Sequence, residues 1–358
     1  MTRNERHGLH KPLFSIDRQF AKVEVGVCGI RNDDAMKILI PGGSGQVGTV
    51  LARAFHADGH EVIVLSRNPR KSPWRAVPWD AQTPGDWTDR LAGADAVINL
   101  AGRSVNCRYN ARNRTEIMES RITSTRVIGE AIARVASPPK VWLQASTATI
   151  YAHRYDAPND EETGILGGHE SNSPDTWRFS IDVAMAWEGA ADTANTPGTR
   201  KVKLRSAMLM SPDPHGIFDT LLGLVRRGLG GQAGNGRQYV SWIHEADFIR
   251  AVYWLIDHDA VEGAVNVAAP NPLPNRDFMR ALRQAWGIRF GLPATKWMLE
   301  LGAVFMKTET ELVLKSRRVV PGILMKRGFL FRCPSWPEAA EDLCRRWRDT
   351  MATHVTSK

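Results

Sequence analysis

The order of apolar and polar residues predicts a strand, a turn and a helix over residues 37–55. Residues 37–40, KILI, form a short apolar run that leads directly into glycines. Apolar residues then return at intervals of three and four, as they do on one face of a helix: Val47, Val50, Leu51, Ala54 and Phe55. This unit begins a pattern that continues along the chain.

Short apolar runs alternate with helical segments as far as residue 209. Strands are predicted at 61–66, 74–79, 95–100, 141–146 and 201–209, and helices at 115–135 and 174–193. Such alternation is typical of parallel sheets whose connections are helices. We therefore predict an α/β fold, a Rossmann-type doubly wound parallel sheet with a smaller C-terminal region on the substrate side.

The pattern becomes less regular beyond residue 209. A short strand is predicted at 240–244, followed by a helix at 248–257 that Asp247 is expected to cap. Another strand follows at 264–268. From there, helical stretches alternate with prolines to the end of the chain.

Composition excludes several classes of function. The 358 residues carry a net charge of +9, but the 47 basic side chains are spread among 38 acidic ones, which favours anionic small ligands over nucleic acid. The longest apolar run, 297–306, contains Glu300 and is far shorter than the ~18–20 residues of a membrane span. The four cysteines lack metal-ligand spacing, so we expect a cytoplasmic protein without a metal or membrane partner.

Glycines at a spacing of three fill the turn after the first strand. Gly42 can form the tight turn, Gly45 lets the backbone approach a pyrophosphate, and Gly48 lets the helix pack closely. Gln46 and Val47 belong to the same first helical turn. The pattern predicts a dinucleotide site, with an ordinary glycine-rich turn as the alternative.

The residue after the second predicted strand decides which dinucleotide fits. An acid there binds the ribose 2′-hydroxyl of NAD, whereas this chain has Arg67, which favours the 2′-phosphate of NADP(H). An exposed basic loop is the alternative. Leu100 ends the fourth predicted strand, and the small residues Ala101 and Gly102 after it would let the chain pass near the bound cofactor.

Polar side chains after later strands are candidates for substrate binding and catalysis. Four residues follow Gly102 as substrate candidates, with mere solvent exposure as the alternative: Arg103, Ser104, Asn106 and Arg108. Four others, at or after strand ends, are catalytic candidates: Ser146, Thr147, Tyr151 and His244. Tyr151 could equally be a packing aromatic and His244 a structural histidine, while Glu188 is expected to be a charge on a helix surface.

The motifs GGSGQVG, NLAG and SWIHEAD resemble those of the extended short-chain dehydrogenase/reductase superfamily. Within it, the chain is similar to the atypical branch called NAD-dependent or nucleoside-diphosphate-sugar epimerases, which carry a C-terminal domain of unknown function. The resemblance covers about residues 36–350. It implies NADP(H) binding by Gly42, Gly45, Gly48 and Arg67, and it implies no particular substrate.

The chain departs from the superfamily at its catalytic pair, Tyr-x-x-x-Lys on a helix. Phe179 stands where the resemblance implies the tyrosine and Val183 where it implies the lysine. Neither side chain can transfer a proton. Any of the five tyrosines would need a nearby cation to act near neutral pH, because an unperturbed phenol has a pKa of about 10.

Three hypotheses about function follow. The chain is an NADP(H)-dependent oxidoreductase or epimerase for a small carbonyl, hydroxyl or nucleotide-sugar substrate, polar or anionic in character. In that case Ser146 or Thr147 polarises the carbonyl, and Tyr151 or His244 supplies the acid. Alternatively it is a non-catalytic NADPH sensor or regulator, or a structural protein with the nucleotide as a folding cofactor.

The predicted domain boundaries follow from the same elements. An NADP-binding Rossmann domain comprises residues 36–206 and about 240–270, and the substrate-side region comprises 207–239 and 271–352. Residues 1–35 are polar without helical periodicity. We interpret them as a disordered extension, or as an artefact of a true start at Met36. The oligomeric state does not follow from the sequence.

Overall fold

The computed structural model describes residues 35–170, 173–295 and 311–356. Seven of the eleven strands in these ranges form the central sheet. The extension before residue 35 and the apolar run 297–306 lie outside the described residues. The strands are β1 (Lys37–Pro41), β2 (Glu61–Ser66), β3 (Arg75–Pro78), β4 (Ala96–Asn99), β5 (Val141–Thr147), β6 (Arg200–Ser206), β7 (Met208–Met210), β8 (Tyr239–Val240), β9 (Trp242–His244), β10 (Gly263–Val267) and β11 (Leu273–Pro274). The helices are α1 (Gln46–Ala57), α2 (Ala111–Arg134), α3 (Asp175–Asp192), α4 (Ile217–Arg226), α5 (Glu245–Asp257), α6 (Asn275–Trp286), α7 (Glu311–Leu314), α8 (Gly322–Lys326) and α9 (Trp336–Thr356).

The strand order of the sheet is β10-β6-β5-β4-β1-β2-β3, and all neighbouring strands are parallel. The chain winds outward from β1 in one direction through β2 and β3, then in the other from β4 onward. The order therefore reverses between β1 and β4, which is where doubly wound sheets bind ligands. The predicted fold class is confirmed.

Alternation within β1 explains how one sheet supports two cores. Ile38 and Ile40 join the core that contains residues of α1 and α5, whereas Leu39 joins the core that contains residues of α2 and α3. All three side chains are fully buried. A strand covered on both faces gains from apolar residues at successive positions, which accounts for the run Ile-Leu-Ile.

A further apolar cluster joins α4, α6 and α9. At its centre the rings of Phe278 and Trp336 are stacked, with 4.0 Å between their centroids, and Trp242 meets Trp336 edge-on at 5.0 Å. Such aromatic pairs stabilise packing beyond the area they bury. The residues of this cluster lie after β6, and the division into two domains stays a prediction.

The strand predicted at 201–209 is in fact two strands. β6 ends at Ser206, and the N–H of Ala207 donates to the carbonyl of Val267. β7 then leaves the main sheet and pairs with β9. The segment 201–209, KVKLRSAML, contains neither proline nor glycine, so the sequence gives no local signal of this break.

Asp247 does not cap α5, contrary to the prediction. The side chain of His244 is the cap, because its Nδ1 accepts a hydrogen bond from the N–H of Ala246 at 3.1 Å. Asp247 lies inside the first turn, and its carboxylate accepts hydrogen bonds of 2.8 Å from the backbone of Arg332 and Cys333. It therefore anchors the segment before α9.

The glycine turn after β1 is tightly packed except in front of Gly45. Gly42 has a φ of 76°, and a Cβ there would stand 2.7 Å from the backbone of Ala101. A Cβ on Gly48 would stand 2.4 Å from the Cα of Gly43, so α1 rests on the turn itself. A Cβ on Gly45 would meet only the Gly42 carbonyl oxygen, at 3.6 Å. The space beside Gly45 thus stays open.

We predict that Gly48→Ala destabilises the protein and that Gly189→Ala, also within a helix, stabilises it. The first methyl group would collide with backbone, which costs about 1–3 kcal/mol, whereas nothing lies within 4 Å of a Cβ at Gly189. Replacing that helical glycine lowers the entropy of the unfolded chain and contributes about 0.5–1 kcal/mol. Denaturant unfolding measures both, and equal stability of the two variants would contradict the packing described.

Candidate functional site

The smaller of two cavities at the carboxyl edge of the sheet has a volume of about 330 Å³. It lies over the ends of β1, β2 and β4. Most residues predicted to contact the cofactor line it: Gly42, Gly45, Arg67, Leu100, Ala101 and Gly102. Arg103, predicted as a substrate contact, lines this cavity as well.

Gln46, Val47 and Gly48 form the first turn of α1 behind this cavity. The side chain of Gln46 lies against Gly216, where a Cβ would stand 2.0 Å from its Nε2, and Val47 packs against the core. These residues can offer a ligand their backbone, because the first N–H groups of a helix have no partner within it.

The smaller cavity is positively charged. Arg67, Arg70 and Arg103 line it, and no carboxylate of the described residues does so. Arg103 also pairs with Glu116 at 2.7 Å, whereas Arg67 and Arg70 are exposed. A glycine-rich helix start and exposed guanidinium groups meet in one cavity, so the residues present fit a dinucleotide phosphate.

The larger cavity, of about 460 Å³, lies beyond the ends of β5 and β6. Ser146 and Thr147 line it at the end of β5. Its walls are mainly apolar and include Ile117, Val183, Trp187, Leu221, Phe278 and Met279. The sequence predicted a polar or anionic substrate, and polar contacts are available only where charged, hydroxyl and amide groups interrupt this wall.

Tyr109, Ser180, Glu311 and Arg317 form the main polar group of the larger cavity. The hydroxyl of Tyr109 is hydrogen-bonded with that of Ser180, which donates to Glu311. Arg317 donates to the hydroxyl of Thr149 at 3.0 Å and lies 3.5 Å from the carboxylate of Glu311. Burial and then the charge of Glu311 raise the pKa of Tyr109 to about 12, so the phenol stays protonated at neutral pH.

Phe179 and Val183 face the same cavity, in the positions where the resemblance implies tyrosine and lysine. The ring of Tyr109 meets the ring of Phe179 edge-on, with 5.2 Å between the centroids. A phenol therefore reaches this part of the cavity from the loop after β4 rather than from α3.

A buried polar network lies behind Ser146. The Ser146 hydroxyl donates to Glu188 at 2.6 Å, and Arg205 donates two hydrogen bonds of 2.8 Å to the same carboxylate. Glu188 is only 6% exposed, so its predicted position on the helix surface is wrong. Arg205 on β6, rather than water, compensates its charge.

Tyr151 belongs to this network and lines neither cavity. Its hydroxyl donates to Asn266 and accepts from Arg205, both at 2.9 Å, and the side chain is buried. Desolvation raises the pKa of Tyr151. The Tyr151 hydroxyl is thus separated from both cavities, since its two partners, Asn266 and Arg205, are themselves buried.

His244 is likewise held by partners of its own, on α5 and α9. Besides capping α5 through Nδ1, it contacts the carboxylate of Asp342 through Nε2 at 3.2 Å. It is buried and lines neither cavity. Both ring nitrogens have partners, which supports the structural interpretation of this histidine.

The loop after β4 alternates between solvent and cavity. Ser104, Asn106 and Arg108 are exposed and line neither cavity, whereas Val105 and Tyr109 line the larger one. The structure therefore does not bring the first three to the candidate substrate space. Sequence reasoning missed Tyr109 because polar residues surround it in a loop without regular periodicity.

Neither a membrane span nor a metal centre is found in the part of the chain that the structure describes. None of its helices is both long and apolar enough to cross a bilayer. No cluster of three or more His, Cys, Asp or Glu side chains within the described ranges could hold a metal ion.

Comparison with known proteins agrees with this architecture. A model of the "NAD dependent epimerase/dehydratase family" matches residues 38–268. The chain belongs to this family. A "Domain of unknown function (DUF1731)" matches residues 294–343, so the predicted resemblance is confirmed in both parts.

Similar proteins span nearly the same length. The bovine "Epimerase family protein SDR39U1" is 31% identical over 314 residues, which cover 86% of this chain and 99% of the relative. "Epimerase family protein ML0860" of Mycobacterium leprae is 30% identical, over 82% of this chain and 91% of its own. The crystal structure of human epimerase family protein SDR39U1 (isoform 2) with NADPH matches with a TM-score of 0.75 and 28% identity, covering 87% of this chain and 99% of that one.

We predict that Glu188→Gln lowers the free energy of unfolding by about 3–5 kcal/mol, because it leaves the buried Arg205 cation without its counter-charge. The paired replacement Glu188→Leu with Arg205→Met should recover most of this loss. The control is Glu162→Gln, since Glu162 pairs with Lys326 in solvent, where the two side chains are 79% and 75% exposed. Unfolding in urea measures all three, and a Glu188→Gln variant as stable as the control would refute the role of the network.

Proposed function

We propose that the protein is an NADP(H)-dependent oxidoreductase or epimerase that acts on a small carbonyl or hydroxyl compound. The observation that carries this proposal is the pair of cavities at one sheet edge. Gly102 lines the smaller cavity, and Arg121, which lines the larger one, lies 3.2 Å from where a Cβ on Gly102 would stand. A ligand that extends past Gly102 would therefore reach Ser146 and Thr147.

The smaller cavity is the proposed site of the adenosine and phosphate groups. Gly42, Gly45 and the first turn of α1 would hold the pyrophosphate, and Arg67 with Arg70 would bind the 2′-phosphate. The human relative solved with NADPH supports this choice of cofactor. When bound, the cofactor supplies or accepts the hydride.

Hydroxyl groups in the larger cavity have complementary roles in this proposal. Thr147 accepts a hydrogen bond from the N–H of Thr149, so its own proton can be donated to a carbonyl oxygen. Ser146 already donates to Glu188, so its oxygen can accept a hydrogen bond from a substrate hydroxyl. Tyr109 replaces Tyr151 and His244 as the proposed proton donor, because it lines this cavity and because the cation it needs is Arg317, whose charge lowers the pKa of Tyr109 against the effect of burial.

The second candidate function is that of a non-catalytic NADPH sensor. It is favoured by one observation, that Phe179 and Val183 both face the larger cavity and neither can exchange a proton. Loss of nicotinamide absorbance in the near ultraviolet, measured with a panel of aromatic aldehydes, ketones and nucleotide sugars, separates the two. Oxidation of NADPH by one substrate class, or conversion of a nucleotide sugar into its epimer, supports the enzyme, and tight NADPH binding without either reaction supports the sensor.

We predict that Arg67→Ser weakens NADPH binding by about tenfold or more and leaves NADH binding unchanged. The variant loses a charge-assisted contact to the 2′-phosphate, of the order of 1.5–3 kcal/mol, and NADH lacks that phosphate. Arg75→Ser is the control, because Arg75 is exposed on β3 and does not line the cavity. Fluorescence titration measures the affinities, and equal losses for both cofactors would contradict the assignment of Arg67.

We predict that Tyr109→Phe lowers kcat for carbonyl reduction by about a hundredfold, in the range of general-acid effects. KM and NADPH affinity should change little, because the ring still packs against Phe179. Tyr155→Phe is the matched control, since Tyr155 is 40% exposed and lies outside the cavity. Steady-state kinetics on the best substrate of the panel provides the measurement, and a kcat equal to that of the control would exclude Tyr109 as the donor.

A further inference from the structure

Three charged side chains of the described residues line the larger cavity: Arg121, Arg317 and Glu311. Arg317 and Glu311 face each other, and further contacts fix Arg317, whose Nε donates to Thr149 and whose Nη1 donates to the carbonyl of Glu311. Their charges therefore offset each other. The charge left for a ligand is that of Arg121, and the cavity as a whole carries one net positive charge.

Arg121 is held in place without a carboxylate partner among the described residues. Its Nη1 donates to the carbonyl of Ile117 at 3.0 Å, and its guanidinium lies over the ring of Trp187, 4.9 Å from the centroid. The planar group is thus oriented by two neutral contacts. Burial lowers the pKa of Arg121 to about 10, so it remains a cation at neutral pH.

A half-buried cation in a mainly apolar cavity is costly unless an anion joins it. The hydroxyl protons of Ser146 and Ser180 are already donated to Glu188 and Glu311, and Thr147 offers a ligand only a neutral hydroxyl. An incoming anion would therefore find its strongest contact at Arg121. Because the net charge of the cavity is a single positive one, a monoanion matches it best.

We infer that Arg121 is the receptor for a carboxylate on the substrate, whose remaining surface is apolar. This inference rests on the proposed function and specifies its substrate class as small, mainly apolar carbonyl or hydroxyl acids. A guanidinium can bind a carboxylate through two parallel hydrogen bonds, which would fix the orientation of the apolar part against the side chains of Val183 and Phe278.

The alternative ligand of Arg121 would be the cofactor itself. Arg121 is absent from the described residues that line the smaller cavity, although its neighbour Ser120 lines it. That cavity already has Arg67, Arg70 and Arg103 for phosphate groups. The distribution of cations therefore favours the substrate as the ligand of Arg121, and the experiment treats binding of the cofactor as a competing outcome.

The test compares binding of cinnamate with that of cinnamamide, its neutral analogue, by calorimetry with and without NADP⁺. We expect the wild type to bind cinnamate at least about tenfold more tightly than cinnamamide. Arg121→Gln should abolish this preference, and Arg121→Lys should retain part of it, because an ammonium keeps the charge but loses the two-point contact. Arg126→Gln, at an exposed position on the same helix, should behave as the wild type.

Several outcomes would overturn the inference. These are a wild type without preference for cinnamate, a preference that survives Arg121→Gln, and an Arg121→Gln variant that loses NADPH affinity while keeping cinnamate affinity. If Arg121→Gln does not fold, Arg121→Lys gives the decision, since an unchanged preference in that variant also refutes two-point recognition. Arg121-dependent binding of cinnamate without turnover of any carbonyl acid would sustain the receptor and refute the oxidoreductase. Turnover of neutral carbonyls without a preference for cinnamate would refute the carboxylate receptor and sustain the oxidoreductase.

Discussion

Burial of both faces of a parallel sheet is the constraint on which the rest of this structure depends. Helices cover each face, so ligands can approach the strands only at their ends. The reversal of strand order between β1 and β4 opens the smaller cavity, and the ends of β5 and β6 carry the larger one. The groups proposed for binding and catalysis therefore lie mainly at the strand ends and on the short segments that follow them.

Charge is distributed differently in the two cavities. The smaller one presents Arg67 and Arg70 to solvent, where guanidinium groups can attract phosphates at little desolvation cost. The charged side chains that line the larger one include a compensated pair, Glu311 with Arg317, and behind Ser146 the charge of Glu188 is compensated by Arg205. Such pairing keeps the strand ends rigid and leaves a mainly apolar volume for the ligand.

Local pattern was enough to predict the sheet and the glycine turn. The apolar run of β1 reflects burial on both faces of the sheet. The spacing of Gly42 and Gly48 reflects how closely backbone segments approach in the turn and at the start of α1. Other features depend on contacts between segments that are distant in the sequence. Glu188 is buried because it contacts Arg205 on β6, and Tyr109 approaches Phe179 because the loop after β4 packs against α3. A single sequence contains no direct signal for such contacts, and the resemblance directed attention to α3, where the expected phenol is missing.

One wall of the larger cavity comes from outside the segment that matches the epimerase model. Glu311, Val313 and Arg317 lie in the part that matches the second family model, and the Arg317 side chain reaches Thr149 in the first. Both parts thus line the larger cavity. Replacing either part by that of a relative would break this contact unless the other part changed with it, so we expect changes in the shape of the larger cavity to arise from paired mutations on either side of the hydrogen bond between Arg317 and Thr149.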